Sequence, residues 1–432
     1  MSHLSRCCLL LSLLILPRCL WAWSNHAVGS YAALAALPAV AQAPAVPMEP
    51  LEAFLGAERE GLASLLDEQE NFAREHFRKY PARPDALRFQ GSEQDLRLAF
   101  LGALRLNPQI RLANAIQPEP GRDQPARPPL NLADVLVFHN LAGWARWRFI
   151  ALQPGEPVAA LAVLASASDE PDFGHDIGLF SDSPGEAGQR YGFGPQPFGD
   201  PGYEFSSQAP FHMGFYHESA IIFAGAPYLA RSWPEWRAYQ FLGLARYAFE
   251  HGHPYWGYRF LGWSMHYVQD LTQPYHSTPL PGETTASMLW TALKAMAGFD
   301  ADKKAAISRV ASRHLGVERY QLDWLLESLR APRGSALLAA YADTRTDGSY
   351  PAYSVDYPRE VVAAESHAHA AAFDAAIGHW LATIPADAGG GFSAGNAVAP
   401  LRHDVQLDEQ LLGLIRAFGA HSRNLARSAL QQ

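Results

Sequence analysis

The stretch LGWSMHYVQDLTQPYH, residues 261–276, decides the fold and function predicted for this chain. Its apolar spacing predicts a helix that ends before Pro274, because proline cannot continue a helix interior. His266 and Asp270 then lie four residues apart on one helix face, and His276 follows just past the helix end. Two imidazoles and a carboxylate converging on one point predict a metal site, and this mixture of ligands suits zinc.

A second pair of the same kind lies downstream, where His314 precedes Glu318 by four residues. Either pair alone is more often an ordinary solvated or buried polar pair than a metal site. The run His-x3-Asp-x5-His followed by His-x3-Glu is more specific, since five residues able to bind a metal have to fall into register. We therefore favour a metal site over two chance pairs.

These motifs resemble the zinc-dependent phospholipase C and P1-type nuclease superfamily, most strongly over residues 206–318. Its members share a His-x3-Asp-x5-His run with an internal Gln-Pro, followed by His-x3-Glu or His-x3-Asp. The mature chain in this superfamily begins with a tryptophan that binds metal through its α-amino group and carbonyl. The resemblance implies an all-α fold, a single multi-helix domain of the phospholipase C and P1 nuclease type.

The first 22 residues predict a signal peptide. Arg6 supplies a positive charge, residues 7–17 are apolar and too short to span a bilayer, and Ala22 is a small residue at the cleavage position. Cleavage there would make Trp23 the new N-terminus, as the resemblance requires. The mature domain would then be residues 23–432, exported to the periplasm or secreted.

Charge and cysteine content limit the function classes. The chain carries 34 Lys and Arg against 43 Asp and Glu, a net charge of −9, which disfavours a nonspecific nucleic-acid binder and predicts no polybasic patch for anionic lipids. The three cysteines, Cys7, Cys8 and Cys19, all lie in the predicted signal peptide. Any zinc would therefore be bound by nitrogen and oxygen atoms.

Apolar periodicity and capping residues predict a mostly helical chain with no repeat. Ser232 and Glu235 predict a capping box before a helix that stops at Gly252. Other helices are predicted over Pro50–Tyr80, Leu130–Leu164, Pro358–Ile384 and Val405–Leu430. A loop-rich insertion of about 166–211 and a C-terminal helical extension of about 357–432 complete the predicted domain.

The insertion is rich in glycine, proline, aromatic residues and carboxylates, a composition that indicates a functional loop. Asp172 resembles the site aspartate of the superfamily and would accept a proton from the attacking water, with Asp176 as the alternative. His212 resembles the next histidine ligand, with His217 as the alternative. Phe173, beside Asp172, is the predicted substrate-binding residue, which would hold a choline ammonium by cation–π attraction.

The resemblance implies two or three Zn2+ ions and divides the predicted ligands among them. One zinc ion would use His212, His266 and Asp270, and a second would use His276, His314 and Glu318. A third would use Trp23 and His26, with Asp270 bridging.

The predicted function is hydrolysis of phospholipids to diacylglycerol and a phosphorylated head group. Glu318 resembles the phospholipase C branch, since the P1-type nucleases generally carry Asp there. The predicted partner is a phospholipid bound transiently at a membrane surface, with no protein partner and no nucleic acid. A P1-type single-strand nuclease and a non-catalytic zinc- or lipid-binding relative remain alternatives.

Overall fold

The computed structural model describes residues 23–119, 121, 127–384 and 401–431. The predicted signal peptide, residues 1–22, lies outside the described residues. The described chain contains eighteen α-helices, and its only strands form two short antiparallel pairs, so the all-α prediction is confirmed. The strand pairs join β1 (Val46–Pro47) to β4 (Pro157–Val158) and β2 (Ala115–Ile116) to β3 (Ile150–Ala151).

The helices fall into three successive groups along the chain. The first group is α1 (His26–Ala35), α2 (Pro38–Ala41), α3 (Leu51–Ala57), α4 (Arg59–His76), α5 (Leu96–Leu104) and α6 (Ala160–Ala167). The second group is α7 (Ala187–Arg190), α8 (Glu204–Ser207), α9 (Ala209–His212), α10 (Ala220–Gly225), α11 (Pro234–Glu250), α12 (Pro254–Asp270) and α13 (Pro274–Ser277). The third group is α14 (Thr285–Met296), α15 (Ala301–Arg330), α16 (Ala336–Tyr341), α17 (Ala364–Ala382) and α18 (Val405–Leu430).

Helix α12 is the centre of the fold. Every residue from Tyr255 to Asp270 is buried, and α12 packs against α6, α11 and α18. The approach to α6 is close, since a Cβ on Gly262 would lie 2.5 Å from the Cβ of Ala167. The turn before α12 is formed by Gly252, whose φ of +83° ends α11 as predicted. A helix buried on all sides holds its polar side chains in fixed positions.

Several predicted elements differ from the structure. Residues 50–80 form two helices, α3 and α4, because the backbone at Glu58 leaves the helical conformation. The predicted helix Leu130–Leu164 is wrong, since this segment consists of 3-10 turns and short strands before α6 begins at Ala160. The capping box is also wrong: Pro234 starts α11, so Trp233 and not Ser232 is the N-cap residue.

The C-terminal helices were predicted well. α18 has the predicted bounds, and the predicted helix Pro358–Ile384 is a π-helical turn, Pro358–Ala363, that continues into α17. Both helices belong to the body of the protein, because α18 packs against α1, α12, α16 and α17. None of the described helices combines the length and the apolar character needed to cross a membrane.

Candidate metal centre

The centre is built on the last turns of α12, which carry His266 and Asp270. The Nδ1–H of His266 donates to the carbonyl oxygen of Ser168, with 2.9 Å between the atoms. This bond leaves Nε2 as the nitrogen with a lone pair, and Nε2 lies 3.3 Å from Oδ2 of Asp270. Both side chains are buried. The predicted i, i+4 pair is therefore present and directed into the protein.

His212, at the end of α9, and Asp172, in the insertion, lie beside His266 and Asp270. Nδ1 of His212 lies 2.8 Å from Oδ2 of Asp270 and 3.1 Å from Nε2 of His266. Asp172, on the 3-10 turn Glu170–Phe173, places Oδ1 3.8 Å from Nε2 of His266 and 3.9 Å from Nδ1 of His212. Asp172 and His212 are forty positions apart, and the chain between them leaves the cluster and returns to it.

The first turn of α1 supplies His26, which lies across Asp270 from His212. Its Nε2 is 3.3 Å from Oδ1 of Asp270 and 3.9 Å from Oδ2 of Asp172. The other ring nitrogen, Nδ1, donates to Oε1 of Gln269 at 2.8 Å. Asp270 therefore directs one oxygen to His26 and the other to His212 and His266, the arrangement expected of a bridging carboxylate.

These distances fit a metal centre. Two ligand atoms on a tetrahedral zinc ion lie about 3.3 Å apart, given zinc–nitrogen bonds of about 2.0–2.1 Å. Within the described part of the chain, two triads have all their donor atoms within 4.8 Å of one another: His26, Asp172 and His266, and His212, His266 and Asp270.

Unused polar atoms support the same interpretation. Nε2 of His26, Oδ1 of Asp270 and Nε2 of His276 are buried and make no hydrogen bond to the described residues. A buried polar atom without a partner is costly, and a metal ion would satisfy all three. Each of the histidines His26, His266 and His276 also fixes its ring by an Nδ1–H bond to a protein oxygen, as metal-binding histidines do.

Burial and charge shift the pKa values within the cluster. Burial raises the pKa of Asp172 above its ordinary range, whereas at Asp270 the nearby imidazoles outweigh burial and lower the pKa. Burial lowers the pKa of His276 to about 4, so this ring is neutral at pH 7 and able to bind a metal. At His212 burial is outweighed by hydrogen bonds to Asp176 and Asp270, which raise the pKa to about 10.

The second predicted ligand set is only partly assembled. Nε2 of His314 and Oε1 of Glu318 lie 3.5 Å apart on α15, and the rings of His276 and His314 meet edge to face with centroids 5.2 Å apart. These three residues do not form a triad within 4.8 Å among the described residues. His276 is nevertheless tied to the first set, since its Nδ1–H donates to the carbonyl oxygen of His212 at 2.9 Å.

A cleft opens onto both ligand sets. Its lining residues are Asp172, Phe205, Gln208, Ala209, His212, Met213 and His276. Asp172 is therefore the carboxylate that borders the cleft, whereas Asp270 lies behind it among the imidazoles. Nε2 of Gln208 lies 3.4 Å from Oδ1 of Asp172.

Phe173, the predicted substrate-binding residue, does not line this cleft. Its ring packs edge to face against Trp144 and Phe149, with centroids 5.3 Å and 5.4 Å away. It lines a separate cavity that contains none of the predicted metal ligands. The aromatic ring in the cleft is Phe205, which stacks on Phe138 with centroids 4.0 Å apart.

Contacts distinguish Asp172 from its alternative Asp176, and His212 from its alternative His217. Asp176 forms a buried ion pair with Arg237 and accepts a hydrogen bond from Tyr267, so its carboxylate is already committed. Nε2 of His212 lies 3.4 Å from Asp176, which places Asp176 behind His212. Nε2 of His217 instead donates to the carbonyl oxygen of Arg359. The structure thus brings Asp172 and His212 into the cluster.

Trp23 is buried beside the end of α12. Its indole Nε1 donates to the carbonyl oxygen of Gln269 at 3.0 Å and lies 3.2 Å from Oγ1 of Thr272. Asn25 and His26 are anchored as well, because Asp169 accepts hydrogen bonds from the backbone N–H of His26 and from the side-chain amide of Asn25. The segment from Trp23 to His26 is therefore held against the cluster of candidate ligands.

Sequence reasoning did not identify the residues that support the ligands. Ser168, Asp169 and Gln208 were missed because only their tertiary contacts give them a role. A signal for Asp169 was present, since it is a carboxylate three residues before Asp172 in a buried turn. No family model, curated protein or solved structure matches this chain.

Proposed function

We propose that this protein is a zinc-dependent phosphoric diester hydrolase, and that its substrates are phospholipids. The observation that carries the proposal is the convergence of five buried donors, His26, Asp172, His212, His266 and Asp270, from four separate segments. Burying imidazoles and carboxylates this close together costs more free energy than filling the same space with hydrophobic side chains. Their burial here therefore indicates a functional role.

The two ligand sets would hold different ions. His212, His266 and Asp270 would hold one zinc, and His276, His314 and Glu318 a second. His26 and the terminal amine of Trp23 would hold a third, with Asp270 shared. Bound zinc would polarise the phosphodiester and lower the pKa of an attacking water toward ~7. Nitrogen and oxygen donors without thiolates are compatible with zinc.

The residues of the chain have their own tasks in this mechanism. Asp172 borders the cleft and its pKa is raised by burial, so its carboxylate is placed to accept a proton from water there. The side-chain amide of Gln208 contacts Asp172 and restricts its orientation. Asp176 and Arg237 hold the far side of His212, which keeps the ring directed at Asp270.

Two features favour a phospholipid over a nucleic acid. The net charge of −9 opposes binding of a polyanion, whereas a lipid head group needs only local contacts. Phe205 provides an aromatic ring in the cleft, and such a ring can attract the ammonium of a choline head group. We assign to Phe205 the contact that the sequence placed at Phe173.

The test is turnover by the purified mature protein on phosphatidylcholine and on single-stranded DNA, with and without a chelator. We expect chelator-sensitive release of diacylglycerol and no cleavage of DNA. Cleavage of DNA alone would establish the nuclease alternative. Two or more zinc ions per chain without turnover of either substrate would establish a non-catalytic zinc- or lipid-binding protein.

A matched pair of variants links turnover to the cluster. Asp270→Asn removes the shared carboxylate charge and should lose zinc and at least a hundredfold in rate. Asp67→Asn removes a partly buried carboxylate that pairs with Arg83 and Arg88 and should retain both zinc and rate. Equal zinc content in the two variants would refute the assignment.

We also propose that the protein is exported. Residues 1–22 would be removed to leave Trp23 as the first residue, in the periplasm or outside the cell. N-terminal sequencing of the protein purified from its natural compartment tests this, and an N-terminus other than Trp23 would remove the third metal site.

A further inference from the structure

Helix α14 exposes an apolar stripe to solvent. The exposed residues recur at helical spacing along one face: Ala286, Leu289, Trp290, Leu293 and Ala297 just past its end. Trp290 is 62% exposed and Leu293 is 49% exposed. Isolated exposed apolar residues are common on soluble proteins, but a contiguous stripe with a tryptophan at its centre marks an interaction site.

The inward face of α14 is the more polar one. Ser287, Met288 and Thr291 are partly buried there, and Met288 packs against a small apolar cluster that contains Phe215 and Ile222. A surface helix ordinarily turns its apolar stripe toward the core. α14 has the reverse orientation, so burial among the described residues does not explain its apolar side chains.

Phe299 extends the apolar face beyond the helix. It is 71% exposed, yet its backbone is fixed: Gly298 has a φ of +91°, and the N–H of Phe299 donates to the carbonyl oxygen of Lys294 at 2.9 Å. This is the Schellman arrangement of a helix end. Ile221, 56% exposed on the neighbouring helix α10, adds to the apolar face.

Basic residues border this surface, although the overall charge predicted no basic patch. Three of the four lysines in the chain are Lys294, Lys303 and Lys304, and residues 283–313 contain five basic and three acidic residues in a protein of net charge −9. Lys294 pairs with Asp302 and Lys304 pairs with Asp300. Such exposed pairs are weak and leave the lysines able to exchange partners.

The surface is connected to the cleft. Met213, which lines the cleft, packs against the same apolar cluster as Met288 of α14. α14 also follows α13, which carries His276, after only seven intervening residues. The small apolar cluster behind α14 therefore connects this helix to the residues that line the cleft.

We propose that α14 and Phe299 form a docking surface for a phospholipid bilayer. A helix that lies in the interface buries its apolar face among the acyl chains, and tryptophan and lysine occupy the head-group level beside it. The choice of a bilayer over a second copy of the chain comes from the lysines and the neighbouring cleft, and it rests in part on the proposed function.

Vesicle co-sedimentation of the full mature protein tests this surface. Vesicles of phosphatidylcholine alone and vesicles that also contain phosphatidylglycerol are compared for the wild type, Trp290→Ser and Leu98→Ser. Leu98 is the control because it is 51% exposed on α5, away from the surface. We expect Trp290→Ser to weaken binding about tenfold on both vesicles, the loss of one buried aromatic side chain, and Leu98→Ser to bind normally.

A second variant tests the lysines. Lys303→Gln combined with Lys304→Gln should weaken binding to the anionic vesicles by about fivefold per lysine and change binding to neutral vesicles little. Equal weakening on the two vesicles would refute the role of the lysines.

Failure of the proposed docking surface and failure of the proposed enzymatic function give different results. Hydrolysis of a short-chain phosphatidylcholine below its micelle concentration reports on the metal centre alone and should be unchanged in Trp290→Ser. Vesicle binding without hydrolysis would overturn the enzyme and keep the docking surface. Absence of vesicle binding, or a dimer in sedimentation velocity that Trp290→Ser dissociates, would overturn the docking surface.

Discussion

Gln269 accepts a hydrogen bond from Nδ1–H of His26, with 2.8 Å between the two atoms. The amide nitrogen of Gln269 donates to the hydroxyls of Ser30 and Ser422, which fixes which end of the amide meets the histidine. Nε2 of His26 is thereby directed at Asp270. One glutamine thus sets the tautomer of the first histidine in the cluster.

Gln269→Met should weaken zinc binding by ten- to a hundredfold, because the ring of His26 loses the acceptor that orients it. The measurement is a competition titration with a zinc-binding dye. Gln69→Met is the matched control, since Gln69 is also buried but donates to the carbonyl oxygen of Gln240. Equal losses in the two variants would show a general effect of burial and not of orientation.

His212→Asn should remove at least one zinc ion per chain, whereas His217→Asn should keep the full content. His212 lies at 2.8 Å from Asp270, while His217 contacts the carbonyl oxygen of Arg359. Elemental analysis of both purified variants gives the answer directly. Loss of zinc from His217→Asn alone would reverse the assignment.

One extra residue before Trp23 should remove one zinc ion and most of the activity, because an amide nitrogen offers no lone pair to a metal. Trp23→Phe is the contrasting variant: it keeps a free amine but loses the indole hydrogen bond to Gln269, so it should retain zinc and lose about 1 kcal/mol of stability. Zinc content and urea unfolding separate the two effects. An extended chain with its full zinc content would end the proposed role of the terminus.

We expect the buried carboxyl group of Glu235 to lower the free energy of unfolding as pH rises. Burial raises the pKa of this carboxyl from an ordinary value of 4.5 to about 8, despite the partial compensation by Arg359. The folded state then binds a proton that the unfolded state releases, so stability is lost between about pH 4.5 and pH 8.

Glu235→Gln should therefore be more stable than the wild type at pH 8.5 by a few kcal/mol, and about equal to it at pH 4. Urea unfolding midpoints at the two pH values provide the measurement. Glu365→Gln should show the opposite sign, because hydrogen bonds from His421 and Tyr350 outweigh burial and lower the pKa of Glu365. A gain in stability at high pH for both variants would contradict the assignment.

Helices with strong local patterns were predictable from the sequence. α18 has an uninterrupted apolar face and was predicted with its observed bounds, and the helix predicted to end before Pro274 is α12. The segment Leu130–Leu164 was not, because its apolar residues fill the core from turns, where periodicity carries no information. The N-cap of α11 was missed because Trp233 is fixed by tertiary packing.

The site was predictable to the extent that its ligands are local. His266 with Asp270 and His314 with Glu318 follow from helix geometry. The pairing of Asp172 with His212 required the resemblance, since forty residues separate them and only the fold closes the gap. Phe205 and Gln208 carry no local pattern at all, which is why the cleft could not be outlined in advance.

The hydroxyl of Ser422 reaches Gln269 from α18, the last helix of the chain. In a nascent polypeptide that still lacks this helix, the side-chain amide of Gln269, which orients His26, has lost one of its hydrogen-bond partners. The cluster can therefore take its final geometry only after α18 has packed against the body of the protein. We expect a polypeptide truncated before α18 to be recognisable by the zinc that it fails to keep.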